Sequence, residues 1–127
     1  MTGTQRLAIR LEADGRFELI EWPTVGTLQT LYTAIGCRAV DAVDISGDLT
    51  MWLDDEGMLT GLPVNVGATA LYAAHKTPHQ TYHGTAVITG GTDRHGDTLP
   101  LTTDQVMAIV EFHCTVGEAT IPAQRTK

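Results

Sequence analysis

The sequence predicts an α+β domain: an antiparallel or mixed sheet built from hairpins, with two or three helices packed on one face. Three observations lead there. Apolar residues alternate with polar ones in paired runs joined by turn residues. Elsewhere apolar residues recur at helical spacing. The two kinds of run also come in groups rather than in the strict alternation of a doubly wound parallel sheet.

Leu7, Ile9 and Leu11 alternate with Arg6, Arg10 and Glu12, and Ala13-Asp14-Gly15 leads to a second alternating run from Phe17 to Glu21, a hairpin signal. Pro23 ends that strand because it lacks a backbone donor. Thr24 or Thr27 is expected to cap a helix whose Leu28, Leu31, Tyr32 and Ile35 fall at i, i+3, i+4 and i+7, with Gly36 as its left-handed stop. Ala39 to Ile45 and Leu49 to Leu53 form a second hairpin around Ser46-Gly47-Asp48. After the polar turn Asp54-Asp55-Glu56-Gly57, Met58 to Leu62 is expected to continue as an extended segment. Val64 to Ala74 reads as a short helix burying Val66, Ala70 and Leu71, with Gly67 an unfavourable helix residue by about 1 kcal/mol. Gly84 to Thr89 is a strand. Thr102 with Gln105 is a capping box opening a helix through Val106, Ile109, Val110 and His113 that stops near Gly117. The whole chain, 1–127, is read as one domain with a core at about 6–115, and Glu118 to Lys127 is expected to fray.

Composition excludes several function classes. Hydrophobic residues make up 43% and charged residues 18% of 127, ordinary globular usage. With 15 acidic and 8 basic residues the formal charge is −7, a field that repels a phosphate backbone, so direct nucleic-acid binding is not expected. No apolar run approaches the roughly 20 residues that span a bilayer, and Met1 to Arg10 lacks a signal-peptide core, so no membrane partner and a cytoplasmic location are expected. Cys37 and Cys114 are read as small buried apolar residues.

Few constellations could carry chemistry. His75, His79 and His83 stand four apart, and on one helix they would present three imidazoles to a zinc ion, supporting a metal-dependent hydrolase. Pro78 breaks that helix, which places the three on a loop and leaves metal the weaker reading. Asp54, Asp55 and Glu56 could serve acid and base roles if one were desolvated, yet consecutive turn residues point in different directions and are usually solvated. The glycines Gly84, Gly90, Gly91 and Gly96 fit neither a phosphate-binding loop nor a dinucleotide fingerprint, so no cofactor is expected. In Gly61-Leu62-Pro63-Val64-Asn65, Asn65 precedes a helix and can cap it. Trp52, Asn65 and Thr69 also remain candidates for contact with a small polar ligand.

The run Met51-Trp52-Leu53-Asp54-Asp55-Glu56-Gly57-Met58-Leu59-Thr60-Gly61-Leu62-Pro63-Val64-Asn65, followed by Ala68-Thr69, resembles the domain-of-unknown-function family 3846 of phages, plasmids and actinobacteria. The resemblance extends over roughly Arg6 to Leu101 and includes the N-terminal strand pair, Leu28-Gln29, and the Gly-rich strand Gly84 to Gly90. Ile35-Gly36 stands where the family pattern usually has Gly-Gly. No activity comes with the family. It implies a mobile-element protein with a host-directed accessory role: a non-enzymatic binding protein, alone or as a homodimer, that modulates a host protein. Anti-defence action on a nuclease with a basic groove would fit. Binding would run through an acidic surface formed by Asp41, Asp44, Asp48, Asp54, Asp55 and Glu56.

Overall fold

The structure is a computed structural model, and it describes residues 6–57, 60–77 and 80–120. Strands β1 (Leu7–Leu11) and β2 (Phe17–Glu21) form the first hairpin, followed by helix α1 (Thr27–Ile35). Strands β3 (Val40–Ser46) and β4 (Leu49–Asp54) form the second, and then come α2 (Val66–His75), β5 (Ala86–Gly90) and α3 (Thr103–Thr120). The sheet order is β2-β1-β5-β4-β3, and every neighbouring pair is antiparallel. The late strand β5 therefore slots between the two hairpins. Central position explains its composition: Ala86, Val87, Ile88, Thr89 and Gly90 are all buried, because helices cover the sheet on both sides.

Two helices, α2 and α3, share one face, as the sequence pattern predicts. Ala68, Leu71 and Tyr72 from α2 and Val106 and Ile109 from α3 pack on Ile9, Leu11, Met51, Leu53 and Ile88. The third helix, α1, covers the opposite face, where Leu31 meets Ala8, Trp22 and Val87. The period of two along β1 explains the division: Ile9 and Leu11 point to the larger core and Ala8 to the smaller one. Trp22, just beyond β2, is the largest side chain buried there. Its indole N–H donates to the carbonyl of Thr98 at 3.1 Å, which ties the second layer to the loop before α3.

Several local expectations change. Neither Thr24 nor Thr27 caps α1; the cap is the left-handed Gly26, whose carbonyl accepts from the Thr30 hydroxyl. Gly57, Thr60 and Gly61 are turn residues instead of extended ones, with Leu62 N–H donating to Gly57 carbonyl at 3.0 Å; Met58 and Leu59 lie outside the described residues. Helix α3 runs past Gly117 to Thr120, so the segment expected to fray is helical as far as that residue, and 121–127 lie outside the described residues. Its capping box forms in both directions, Gln105 N–H to Thr102 Oγ1 at 3.1 Å and Thr102 N–H to Gln105 Oε1 at 2.8 Å. Cys37 is half-buried and Cys114 exposed, because on α3 the buried stripe passes through Ile109 and His113, leaving the next position turned to solvent.

The buried face of α2 is Gly67, Ala68, Leu71 and Tyr72, so Val66 is exposed and Ala70 only half-buried. The shift follows from α3. A Cβ on Gly67 would stand 2.6 Å from Cε1 and 2.7 Å from Nδ1 of His113, so the two helices approach through the missing side chain. His113 cannot simply swing away, since it is 9% exposed and its Nε2 donates to the Gly15 carbonyl at 2.7 Å. We therefore expect Gly67→Ala to destabilise the fold by about 1–3 kcal/mol despite the better helix propensity of alanine. In a urea-denaturation cycle the same change should cost much less on a His113→Ala background. Equal costs on both backgrounds would refute the close-approach explanation.

Candidate functional site

The Gly61-Leu62-Pro63-Val64-Asn65 segment is built around a fully buried Asn65. Its Oδ1 caps α2 by accepting from Ala68 N–H at 3.0 Å. Its Nδ2 donates to the carbonyls of Leu11 at 3.0 Å and Gly84 at 2.8 Å. The Asn65 backbone N–H donates to the Tyr82 carbonyl at 2.7 Å, and the Pro63 carbonyl accepts from Gly84 N–H at 2.8 Å. One carboxamide thus joins the end of β1, the approach to β5 and the start of α2. Leu62 locks the same corner. Gly84 has φ +80°, and a Cβ there would stand 2.8 Å from Leu62 Cδ1.

Thr69 belongs to this corner as well, its hydroxyl oxygen accepting from Tyr82 N–H at 3.0 Å. Trp52 sits on the other face of the sheet, half-buried beside the α1 core, with its indole N–H donating to Thr89 Oγ1 at 2.9 Å. The structure therefore does not bring Trp52, Asn65 and Thr69 together as a pocket. Asn65 is closed to solvent, and the recorded bonds of all three side chains are internal. The buried Thr89 that receives Trp52, and in turn donates to the Gly90 carbonyl at 3.0 Å, has no sequence signal beyond its place in a β-rich run.

The acidic turn does assemble something. Asp54 and Asp55 meet Asp41 of β3 at a cleft of about 90 Å³ lined also by Gln80, Thr81 and His83. Pairing of β3 with β4 places Asp41 opposite Leu53 and Val40 opposite Asp54, so the end of the hairpin borders one opening while the Asp41 and Asp54 side chains leave it on opposite faces. No Lys or Arg is among its lining residues. Asp54 Oδ1 accepts from Glu56 N–H at 2.9 Å, a turn-closing bond, and Glu56 itself is exposed. At the back of the cleft, burial and the neighbouring Tyr72 push the Tyr82 phenol above its ordinary value. A space this small is well below the roughly 300–1,000 Å³ of a drug-sized ligand site, and it fits the head of a single side chain.

The histidines part company. His83 lines the acidic cleft, where Nδ1 donates to the Leu62 carbonyl at 2.9 Å and Nε2 meets the Thr81 hydroxyl at 2.9 Å. His75, at the end of α2, donates from Nδ1 to the Leu71 carbonyl at 3.0 Å and borders a different cavity. His79 lies outside the described residues. Helix α2 ends before Pro78, so one helix face does not carry the set, and among the described residues no three His, Cys, Asp or Glu side chains are placed to hold a metal ion.

Sequence reasoning missed a second cavity. Leu71 of α2, Ile109 and Phe112 of α3 and Leu49 of β4 wall a groove of about 520 Å³, with Asp48 and His75 at its rim. Gln105 fixes one end by donating from Nε2 to the Asp48 carbonyl at 3.0 Å. Each wall residue is an ordinary core candidate in sequence; the gap arises only from how two helices settle on the sheet.

No described helix is long and apolar enough to cross a membrane. Among known proteins, residues 5–113 match the family described as Domain of unknown function (DUF3846). No curated protein and no solved structure matches the chain.

Replacing Asn65 tests the corner directly. Asn65→Ala should cost about 3–4 kcal/mol, since it removes three buried hydrogen bonds and orphans two carbonyls and one N–H. Asn65→Asp keeps the cap oxygen but aims a carboxyl at two carbonyls. Burial would raise its folded-state pKa above the unfolded value, so stability should be greatest at low pH and fall as pH rises from about 4. Urea midpoints measured between pH 3 and 7 should show that trend in the Asp variant relative to the Ala variant. Parallel pH profiles for the two would refute the proposed bonding.

Proposed function

The chain belongs to the DUF3846 family, and from its own surface we propose that it is a non-enzymatic protein-binding domain that docks a basic partner on its acidic β3–β4 hairpin. The observation that carries this reading is that Asp41, Asp54 and Asp55 all border one small cleft that no Lys or Arg lines among the described residues. A basic side chain arriving from a partner would meet negative charge on the rim while filling a space of side-chain size. Asp44 and Asp48 extend the same charge along β3 and its turn, opposed by the exposed Lys76, whose Nζ is 3.4 Å from Asp44 Oδ2. The hosts implied by the family resemblance make a host protein with a basic groove, such as a nuclease, the natural partner. Modulating it by occupying that groove needs no chemistry from this chain.

Catalysis finds less support. His75 and His83 line separate cavities, and His83 has Leu62 and Thr81 as partners for its two nitrogens. A site for a small polar ligand at Trp52, Asn65 and Thr69 also loses its basis, because those side chains bond internally on two sides of the sheet.

The experiment is affinity capture from the natural host with mass spectrometry, then kinetics with the captured protein. Neutralising Asp54, Asp55 and Glu56 together, with Asp41→Asn as a separate variant, should slow association about tenfold at low salt and flatten its salt dependence. Association rates unchanged by both variants would reject the acidic docking face.

A further inference from the structure

Beyond docking, we infer that the Thr81 hydroxyl is a covalent acceptor site for a short acyl group delivered from an uncharged or cationic ester or thioester. The tautomer of His83 is fixed by its surroundings. A carbonyl can only accept, so Nδ1, 2.9 Å from the Leu62 oxygen, carries the ring proton, and Nε2 of the neutral ring is an acceptor. The Thr81 hydroxyl, 2.9 Å from Nε2, donates to it. A hydroxyl that donates to an imidazole, itself held in place by a third group, is the arrangement of an activated nucleophile. Thr81 is exposed, so an acyl donor can reach its oxygen.

The backbone supplies a further group. The Tyr82 carbonyl is bonded to Asn65 and the Gly84 N–H to Pro63, so along this extended stretch the N–H and carbonyl of His83 point the opposite way. That side is the cleft, because a Cβ on its lining residue Gly57 would stand 3.2 Å from the His83 carbonyl. No described residue accepts from the His83 N–H, which leaves it available to a developing oxyanion. In the transfer, a bond forms from Thr81 Oγ1 to the acyl carbon as the hydroxyl proton passes to Nε2. The bond from that carbon to the leaving oxygen or sulfur then breaks, and the proton leaves Nε2 with the alcohol or thiol. Each chain takes up one acyl group as a threonine ester. Charge and size select the donor. Asp41, Asp54 and Asp55 border the cleft, which favours the imidazolium formed on His83 and disfavours phosphoryl donors with their several negative charges. A space of about 90 Å³ admits an acyl group of a few heavy atoms.

The test incubates the full chain with p-nitrophenyl acetate and maps acetylation by peptide mass spectrometry, with the exposed Lys76 as internal reference. Thr81 should be esterified at least about tenfold faster than the exposed Thr115, and at least about tenfold faster in the wild-type chain than in His83→Gln. Thr81→Ser should keep the reaction and Thr81→Val should lose it, each with Lys76 acetylated as in the wild type. The ratio of Thr81 to Lys76 labelling should fall several-fold when anionic acetyl phosphate replaces the uncharged ester. Labelling of Thr81 no faster than that of Thr115, which needs no variant to observe, overturns the inference. A rate indifferent to His83→Gln does the same, and an unchanged ratio with acetyl phosphate overturns the choice of donor. None of these readings involves a docking partner, so they stand or fall apart from the hairpin variants.

Discussion

The fold turns on one buried carboxamide. A buried polar group must find partners, and Asn65 finds three, one from each of the structural units that meet around it: the β1 end, the approach to β5 and the first turn of α2. Those units are far apart in the chain, and β5 enters the sheet between two hairpins formed earlier. The register of this central strand is strongly specified, because a slip by one residue would exchange the faces of Val87 and Ile88. The Gly84 carbonyl bonded to Asn65 lies two residues before β5 and sets that register. Tyr82 and Thr69 add a second clasp beside it.

The elements were legible because each has a local cause. Alternation of Leu7, Ile9 and Leu11, the Asp-Gly turn, the Thr102 and Gln105 capping box and the cap at Asn65 each act within a few residues, and each appears where the pattern predicts. What was not legible depends on non-local neighbours. The rotation of α2 by one position needed His113, distant in sequence, to occupy the space over Gly67. The placing of α1 on the opposite face needed Trp22 to be buried there, which a lone tryptophan after a strand does not announce. The candidate site divides in the same way. Asp54 and Asp55 were visible as a turn, whereas their meeting with Asp41 required strand register. The groove beneath α2 and α3 required three elements at once.

That division also separates scaffold from surface. The segment where the family resemblance concentrates is largely spent inside the protein: Leu62 on Gly84, Pro63 on the Gly84 N–H, Asn65 on three elements, Thr69 on Tyr82. A pattern of this kind identifies a fold more than a chemistry. Residues free to meet another molecule stand on the hairpin and along α3, where composition is ordinary. Two chains sharing the Asn65 corner would keep the same frame while presenting different charges on β3.

Carboxylates on β3 have a structural use that needs no partner, since β3 is an edge strand and Asp41 and Asp44 discourage another sheet from pairing with its free amides. Edge protection alone, however, does not account for where the charge lies. Asp54 and Asp55 belong to the end of β4 and its turn, not to the open edge, and with Asp41 they border an open cleft. The opposite edge strand, β2, is guarded differently, with Glu18 held by Arg10 of the neighbouring strand. The unbalanced cluster at β3 is therefore more than the sheet needs to remain single. Asp41 stands on the face of the sheet that carries the apolar groove, and Asp54 on the face covered by α1.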